Sequence, residues 1–442
     1  MKFKQLPLAL GCLLLASLPL AHAVEDSQLK DIQQRVSAIE SKMINWRRDI
    51  HEHPELSNQE HRTAKLVADH LRSLGLEVQT GVAKSTGVVA ILKGGKPGKV
   101  VALRADMDAL PVKELVQLSF ASKAKGKHMG KDVDVMHACG HDAHTAILMA
   151  TAEVLAGMKE QVHGTVKFIF QPAEEGPSEQ HSEDDHIGAE AMVLSGVLDN
   201  PKVSAVFGLH VIPWFPTGTV AYRSGPIMAS ADTFAMKVTG KQTHGAFPWA
   251  GIDPIVATSQ IVMGLQAVVS RQLELIKEPA IISIGSIHGG SRENIIPESV
   301  DLLGTVRTFD DGMRQDTLQR MRTTAEHIAM SSGAKAEIKI QKPGGYAVTV
   351  NNEDLTARML PTLKQMTDGK AIVTPKLSAS EDFSEYAKKV PGMFFFLGST
   401  SASSDLKKAP PNHSPKFEID EAALAVGART MTALAIDYLK QP

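Results

Sequence analysis

The sequence predicts an α/β protein with a mixed sheet, interrupted by an inserted βαββαβ unit. Three observations carry that reading. The apolar runs GVVAILKG, KVVALRADMDALP, GTVKFIFQPAEEG and SAVFGLHV have the unbroken hydrophobicity of strands buried on both faces, and the helical stretch HTAILMATAEVLAGM lies between the second and third. From about residue 229 the order changes to strand DTFAMKVTGK, helix DPIVATSQIVMGLQAVVSRQLEL, strands AIISIGSIHGG and SVDLLGTVRTF, helix GMRQDTLQRMRTTAEHIAM and strand AKAEIKIQ. After about residue 341 the first pattern returns with SASEDFSEY, the strand GMFFFLGS and a final helix from Glu421.

The middle order is that of a ferredoxin-like sandwich. Residues 24–228 and 341–442 are therefore expected to form one discontinuous domain, with 229–340 inserted into it. Ahead of the first strand, QLKDIQQRVSAIESKMINWRRDIHEH and SNQEHRTAKLVADHLRSLG read as helices, the second opening on Ser57 as a cap and closing at Gly75.

Bulk properties narrow the partners. The chain has 442 residues, 43% of them hydrophobic, with 47 basic against 49 acidic side chains and a formal charge of −2. It lacks long charge runs and so carries no electrostatic footprint for nucleic acid or an anionic membrane, which leaves a small molecule or peptide as the expected substrate.

The N-terminus has the parts of a secretory signal: Lys2 and Lys4, the apolar run LPLALGCLLLASLPLAHA, and small residues ending at Ala23. Cleavage after Ala23 and a periplasmic or secreted location are expected. Cys12 is a poor lipidation site because the apolar run continues well past it. No later segment is expected to span a membrane. Removal of the signal leaves Cys139 as the sole cysteine, so no internal disulfide can form.

That cysteine lies in MHACGHDAH, where Cys139 and His141 flank Gly140. A thiolate and an imidazole at this spacing can reach the same or adjacent divalent ions if glycine lets the backbone turn sharply. Alone, the pair reads equally as a small buried residue and a helix-start histidine. Three further signals shift the balance. Glu174 and Glu175 end a strand, so one carboxylate can bind metal while the other carries protons, although spacing alone does not say which. His210 follows the apolar AVFGL and is placed at a strand end, and His413 in PPNHSPKF is read as lying just past another. One thiolate, three imidazoles and a carboxylate suffice for two divalent ions bridged by Cys139.

The stretches RRDIHEHPELSNQEHRTA, LRADMDALP, HACGHDAHTAIL, FIFQPAEEG, FGLHV, GKQTHGAFP, DPIVATSQIV, ENIIPESV, GTVRTF, SASEDFS and NHSPKFEIDE, in this order, resemble the M20 family of metallopeptidases. The resemblance is to its amidohydrolase branch of hippurate, N-acyl-amino-acid and auxin-conjugate hydrolases. It implies a zinc-peptidase-like catalytic domain with the inserted unit as a lid and dimerisation domain. It further implies two divalent ions on Cys139, His141, Glu175, His210 and His413, with Glu174 as general base, in the service of amide hydrolysis of N-acyl amino acids. The donors suit Zn, Mn, Co or Ni. Asp108 is expected to orient a ligand. His244 and Asn294 correspond to residues that stabilise the oxyanion, often from the partner subunit of a homodimer. Arg307 is a candidate fork for a substrate carboxylate or an ordinary strand arginine.

HEHPE lacks the second histidine a zincin helix needs and reads as structural. EEGPSEQHSEDDHIGAE, with His181 and His186, reads as a solvent loop longer and more acidic than that branch usually carries. Three other functions remain open on the sequence: a cysteine hydrolase using Cys139, a dipeptidase or carboxypeptidase of the same family, and a non-catalytic homologue that binds metal or ligand.

Overall fold

Eight strands form the main sheet of the computed structural model, which describes residues 24–182, 185–341 and 345–441; the signal-type segment 1–23, with Cys12, lies outside the described residues. In spatial order they are Glu77–Val82, Gly87–Lys93, His163–Gln171, Lys96–Asp106, Ala205–Pro216, Gly392–Thr400, Val220–Tyr222 and Ala371–Val373. The four central strands, from His163–Gln171 to Gly392–Thr400, run parallel; Gly87–Lys93 and Val220–Tyr222 join them antiparallel on either side, Glu77–Val82 then adding antiparallel and Ala371–Val373 parallel. Hence the sheet is mixed. Alternation divides its two faces: Val101, Leu103 and Ala105 enter one core, and Ala102 enters the other.

The larger core lies under three helices, Asp26–Glu52, His141–Gly157 and Ala422–Lys440, which pack on one another. The last is long and apolar enough to cross a membrane, contrary to the expectation that no later segment would be, but 83% of it is buried inside the fold. It is the core helix of a packed layer.

The helix after His53 starts at His61, four residues later than Ser57, and Ser57 is not its cap. Instead the Ser57 hydroxyl donates to Asp108 Oδ2 at 2.8 Å. A buried carboxylate competes well for a hydroxyl that helix N–H groups could otherwise use.

The second sheet has four antiparallel strands in the order Ala280–Gly289, Ser299–Thr308, Asp232–Thr239 and Lys335–Ile340. Helices Pro254–Ala267 and Asp311–Ser331 cover one face, around a core that includes Phe234, Ile261, Leu302 and Met321. Asp253 caps the first helix, with Pro254 at its first position, and Asp310 caps the second. The other face, to which Ile281, Leu303 and Arg307 point, carries exposed Ile281 and Leu303.

The two connections between the sheets run side by side. Gly225–Met228 pairs with Thr349–Asn351, and Ala231 and Tyr346 exchange backbone hydrogen bonds of 2.9 and 2.8 Å.

Candidate active site

The site forms beyond the carboxyl ends of the central parallel strands, where an open α/β sheet leaves a crevice. Gly140 precedes helix His141–Gly157 with φ of 98°, and a Cβ there would meet Val211 Cγ2 at 2.2 Å. Only glycine makes this turn, which brings Cys139 and His141 to one space. Glu174 and Glu175 follow strand His163–Gln171 through Ala173, whose φ is 55°.

His210 lies within strand Ala205–Pro216, not at its end as the sequence suggested. The neighbouring strand Lys96–Asp106 stops pairing at Gly208, so the edge beyond it opens toward the site while pairing with Gly392–Thr400 carries on past His210. His413 stands thirteen positions beyond the end of strand Gly392–Thr400, after the helical turn Leu406–Lys408, rather than just past the strand. It is fixed by its loop: His413 N–H donates to Ala138 O at 2.7 Å, and Asn412 Nδ2 donates to Cys139 O at 3.0 Å.

These elements converge on Cys139. Its Sγ lies 3.3 Å from His210 Nε2 and 3.2 Å from His413 Nε2. His413 Nε2 is 3.2 Å from Glu175 Oε1. His141 Nε2 is 3.9 Å from Glu175 Oε1 and 4.0 Å from Glu174 Oε2. Two triads of donor atoms result, Cys139–His141–His210 and Cys139–Glu175–His413, and they share the sulfur.

The residues fit divalent ions. His141 Nε2 is buried and has no hydrogen-bond partner, yet it faces the carboxylates at distances too long for a hydrogen bond. Such an orphaned nitrogen is costly unless it meets a cation or a donor. Its other nitrogen, Nδ1, lies 3.2 Å from Asp108 Oδ1, and His210 Nδ1 donates to Val211 O at 2.8 Å. Each ring thus turns Nε2 inward, the arrangement by which outer partners aim metal-ligating imidazoles. Asp108 is itself held by Ser57 and by Glu175 N–H at 3.0 Å.

The local field is negative. Burial, then Glu175 and Glu174, push the Cys139 thiol well above its ordinary range. A cysteine nucleophile needs the opposite, a thiolate favoured by neighbouring positive charge. Burial and the nearby Glu381 and Glu175 likewise push Glu174 well up. Beneath it, fully buried Arg104 bonds Asp106 at 2.7 Å, Asp382 at 2.8 Å and Glu381 at 2.9 Å, while burial lifts Glu381 to about 8 despite Arg104. His144 joins this layer, with Nδ1 2.6 Å from Asp106 and Nε2 accepting Val211 N–H at 2.8 Å.

A cavity of about 420 Å³ opens over the cluster. Cys139, Glu174, Glu175, His210 and His413 line one side; Ile212, Trp214, Met228, Leu377 and Phe396 form an apolar wall; Arg307, Ser380 and Tyr346 add polar groups. A larger cavity, about 480 Å³, lies beside Lys167 and Asn200, away from every candidate ligand. Arg307 reaches the first cavity from the open face of the four-stranded sheet and donates to Ser380 Oγ at 3.0 Å. His244 and Asn294 lie side by side through the pairing of Thr243–His244 with Ile295–Ile296, but both are exposed and neither lines the cavity.

Sequence reasoning missed several participants. Ser57 was read only as a helix cap, while Glu60, which accepts the Ala173 N–H at 2.9 Å, and Glu381 sit in SNQEHRTA and SASEDFS, stretches noticed for resemblance without a role for either. Tyr346, whose hydroxyl donates to Glu174 O at 2.6 Å, gave no signal at all. His137 is buried with neither ring nitrogen hydrogen-bonded.

Comparison with known proteins agrees with this geometry. Residues 102–437 match peptidase family M20/M25/M40. The chain is 41% identical to thermostable carboxypeptidase 2 of Saccharolobus solfataricus, over 93% of this chain and 98% of that protein. It is 39% identical to an N-acetylcysteine deacetylase of Bacillus subtilis, over 91% and 98%. Among solved structures, a dinuclear metal-binding peptidase of the M20 family from Bacillus subtilis superposes with a TM-score of 0.74 at 36% identity, covering 92% of this chain and all of that one. With its α/β fold and paired donor triads, the chain belongs to peptidase family M20/M25/M40 and is a metal-dependent hydrolase of amide bonds.

Proposed function

We propose that the protein cleaves the amide bond of small N-acylated amino acids, with Cys139, His141, Glu175, His210 and His413 holding two divalent ions from among Zn, Mn, Co and Ni. The observation that carries the reading is the sharing of one buried sulfur by two donor triads with Glu174 at their edge. Ions held there would supply Lewis-acid polarisation of the amide and acidify a water.

Glu174 then acts as general base. It belongs to neither Cys139 triad, although it lies with His141 and Glu175 in a further group of donors, and in this reading it takes a proton from water and returns it to the departing nitrogen. Its raised proton affinity suits both halves of that transfer, and added cations would lower it. Asp108 keeps His141 in the tautomer with Nε2 available. Arg307 holds the substrate carboxylate at the polar end of the cavity, and the apolar wall receives the uncharged portion.

His244 and Asn294 are proposed to serve the cavity of a second copy, stabilising the oxyanion from a lid in a homodimer. Supporting this are their exposure, and the exposed Ile281 and Leu303 on the open sheet face. Export with cleavage after Ala23 completes the proposal; the mature N-terminus would then begin at Val24, as Edman sequencing of the processed protein can check.

Metal analysis followed by hydrolysis assays over acetyl, benzoyl and indoleacetyl amino acids, with each metal restored, tests the reading. Glu174→Gln should keep its metal and lose turnover by about three orders of magnitude or more. The carboxypeptidase name of one relative argues for including dipeptides in the panel. A panel in which nothing is cleaved by the metal-loaded protein would leave a binding role instead.

A further inference from the structure

The turn that presents Glu174 is held by three side chains from distant parts of the chain. Glu60 Oε1 accepts the Ala173 N–H at 2.9 Å, Asp108 Oδ2 accepts the Glu175 N–H at 3.0 Å, and Tyr346 Oη donates to the Glu174 carbonyl at 2.6 Å. Ala173 adopts φ of 55°, a left-handed conformation that a residue with a Cβ does not choose by itself. The surroundings, not local preference, therefore determine the direction of the residue that follows it.

Tyr346 differs from the other two. Its backbone is locked in both directions to Ala231, where the chain enters and leaves the four-stranded sheet. Its ring is half-buried and reaches back across the cavity rim to the Glu174 backbone, not to the Glu174 carboxylate. The hydroxyl consequently leaves the carboxylate unblocked while fixing the peptide from which it springs.

We propose that Tyr346 is a positioning residue for Glu174, fixing the base through its own carbonyl and tying its aim to the paired strands that join the two sheets. The proposal rests on the reading of Glu174 as the base. Without the hydroxyl, a carbonyl in a water-poor place loses its donor, and the Ala173–Glu174 turn can relax. Small displacements of a proton acceptor lower the rate of proton transfer without loosening substrate binding.

The test is Tyr346→Phe in the metal-loaded, full-length protein, compared with Glu174→Gln. In Tyr346→Phe, metal content should stay at the wild-type level, KM should change by less than about threefold, and kcat should fall about ten- to a hundredfold. The double variant should be no slower than Glu174→Gln alone, because Tyr346 acts only through the base. Wild-type kcat in Tyr346→Phe beside an inactive Glu174→Gln overturns the role of Tyr346 alone. So does a raised KM at unchanged kcat, which would make the hydroxyl a substrate contact, and so does loss of metal or a collapsed melting temperature, which would make it structural. Full turnover by Glu174→Gln overturns both this proposal and the assignment of the base.

Discussion

The Cys139 thiol lies 3.2 Å from His413 Nε2 across 274 positions of sequence, and the His413 backbone is bonded to Ala138, one residue before that cysteine. The sulfur belongs to both donor triads, whereas His413 belongs to one. Cys139→Ala should accordingly lose both ions on dialysis, and His413→Ala should retain about one ion per chain. Metal analysis of the dialysed variants decides this, and equal stoichiometry in the two would contradict a bridging role.

Metal affinity should rise with pH. Burial and the glutamates hold the Cys139 thiol protonated well past its ordinary range, and the hydrogen bond to Glu175 raises His413. Both groups must give up protons to bind a cation, so protons and metal compete. Calorimetric titration in buffers of different ionisation enthalpy should register proton release on binding, and affinity should weaken as the solution is acidified. PH-independent affinity would rule out the thiolate as a ligand.

Asp142 anchors the helix that carries His141. Its Oδ2 lies 2.7 Å from Arg47 Nε and 2.9 Å from His51 Nδ1, with all three residues buried. Burial favours the neutral acid, but Arg47 and His51 outweigh it and hold the carboxyl well below its ordinary range. A depressed folded-state value contributes stability above the unfolded value of ~3.9 and loses it as pH falls through the folded value. Asp142→Asn should cost about 3 kcal/mol at neutral pH, the lower end for a broken buried pair because Arg47 keeps Glu421 at 3.3 Å. Denaturant titration at neutral and acidic pH should give a gap that narrows in acid.

Arg307→Lys keeps the charge and removes the fork. KM for a substrate with a free carboxylate should rise about tenfold, while its carboxamide analogue should be little affected. Steady-state assays on the matched pair separate carboxylate recognition from a mere bond to Ser380.

The sheet and the candidate donors were legible for a physical reason. Strands buried on both faces must be apolar throughout, and Glu174 and Glu175 follow directly on such a run, while Cys139 and His141 crowd the turn that opens an apolar helix. The edge strand Glu77–Val82 was not legible because its side chains are mostly exposed and carry no apolar period. Arg104 was hidden inside an apolar strand, since nothing in LRAD says that Asp382 lies across from it. Ser57 looked like a cap because periodicity registers what is near along the chain, whereas Asp108 is near only in space. His244 and Asn294 were visible as motifs, yet within one chain they stay apart from the cavity, because the surface they could serve belongs to another copy under the proposed dimer.

Strand Gly392–Thr400 lies between Ala205–Pro216 and Val220–Tyr222, so the main sheet is completed by residues made near the end of translation. The four-stranded unit contains all its own strands and helices, so its closures need no residue beyond Ile340. It can condense while the rest of the chain is still being made, but the donor set must wait for His413, and the layer above it for Ala422–Lys440. A chain truncated by its last forty residues would still hold every strand of the inserted sheet, yet lack both His413 and the helix that covers the larger core.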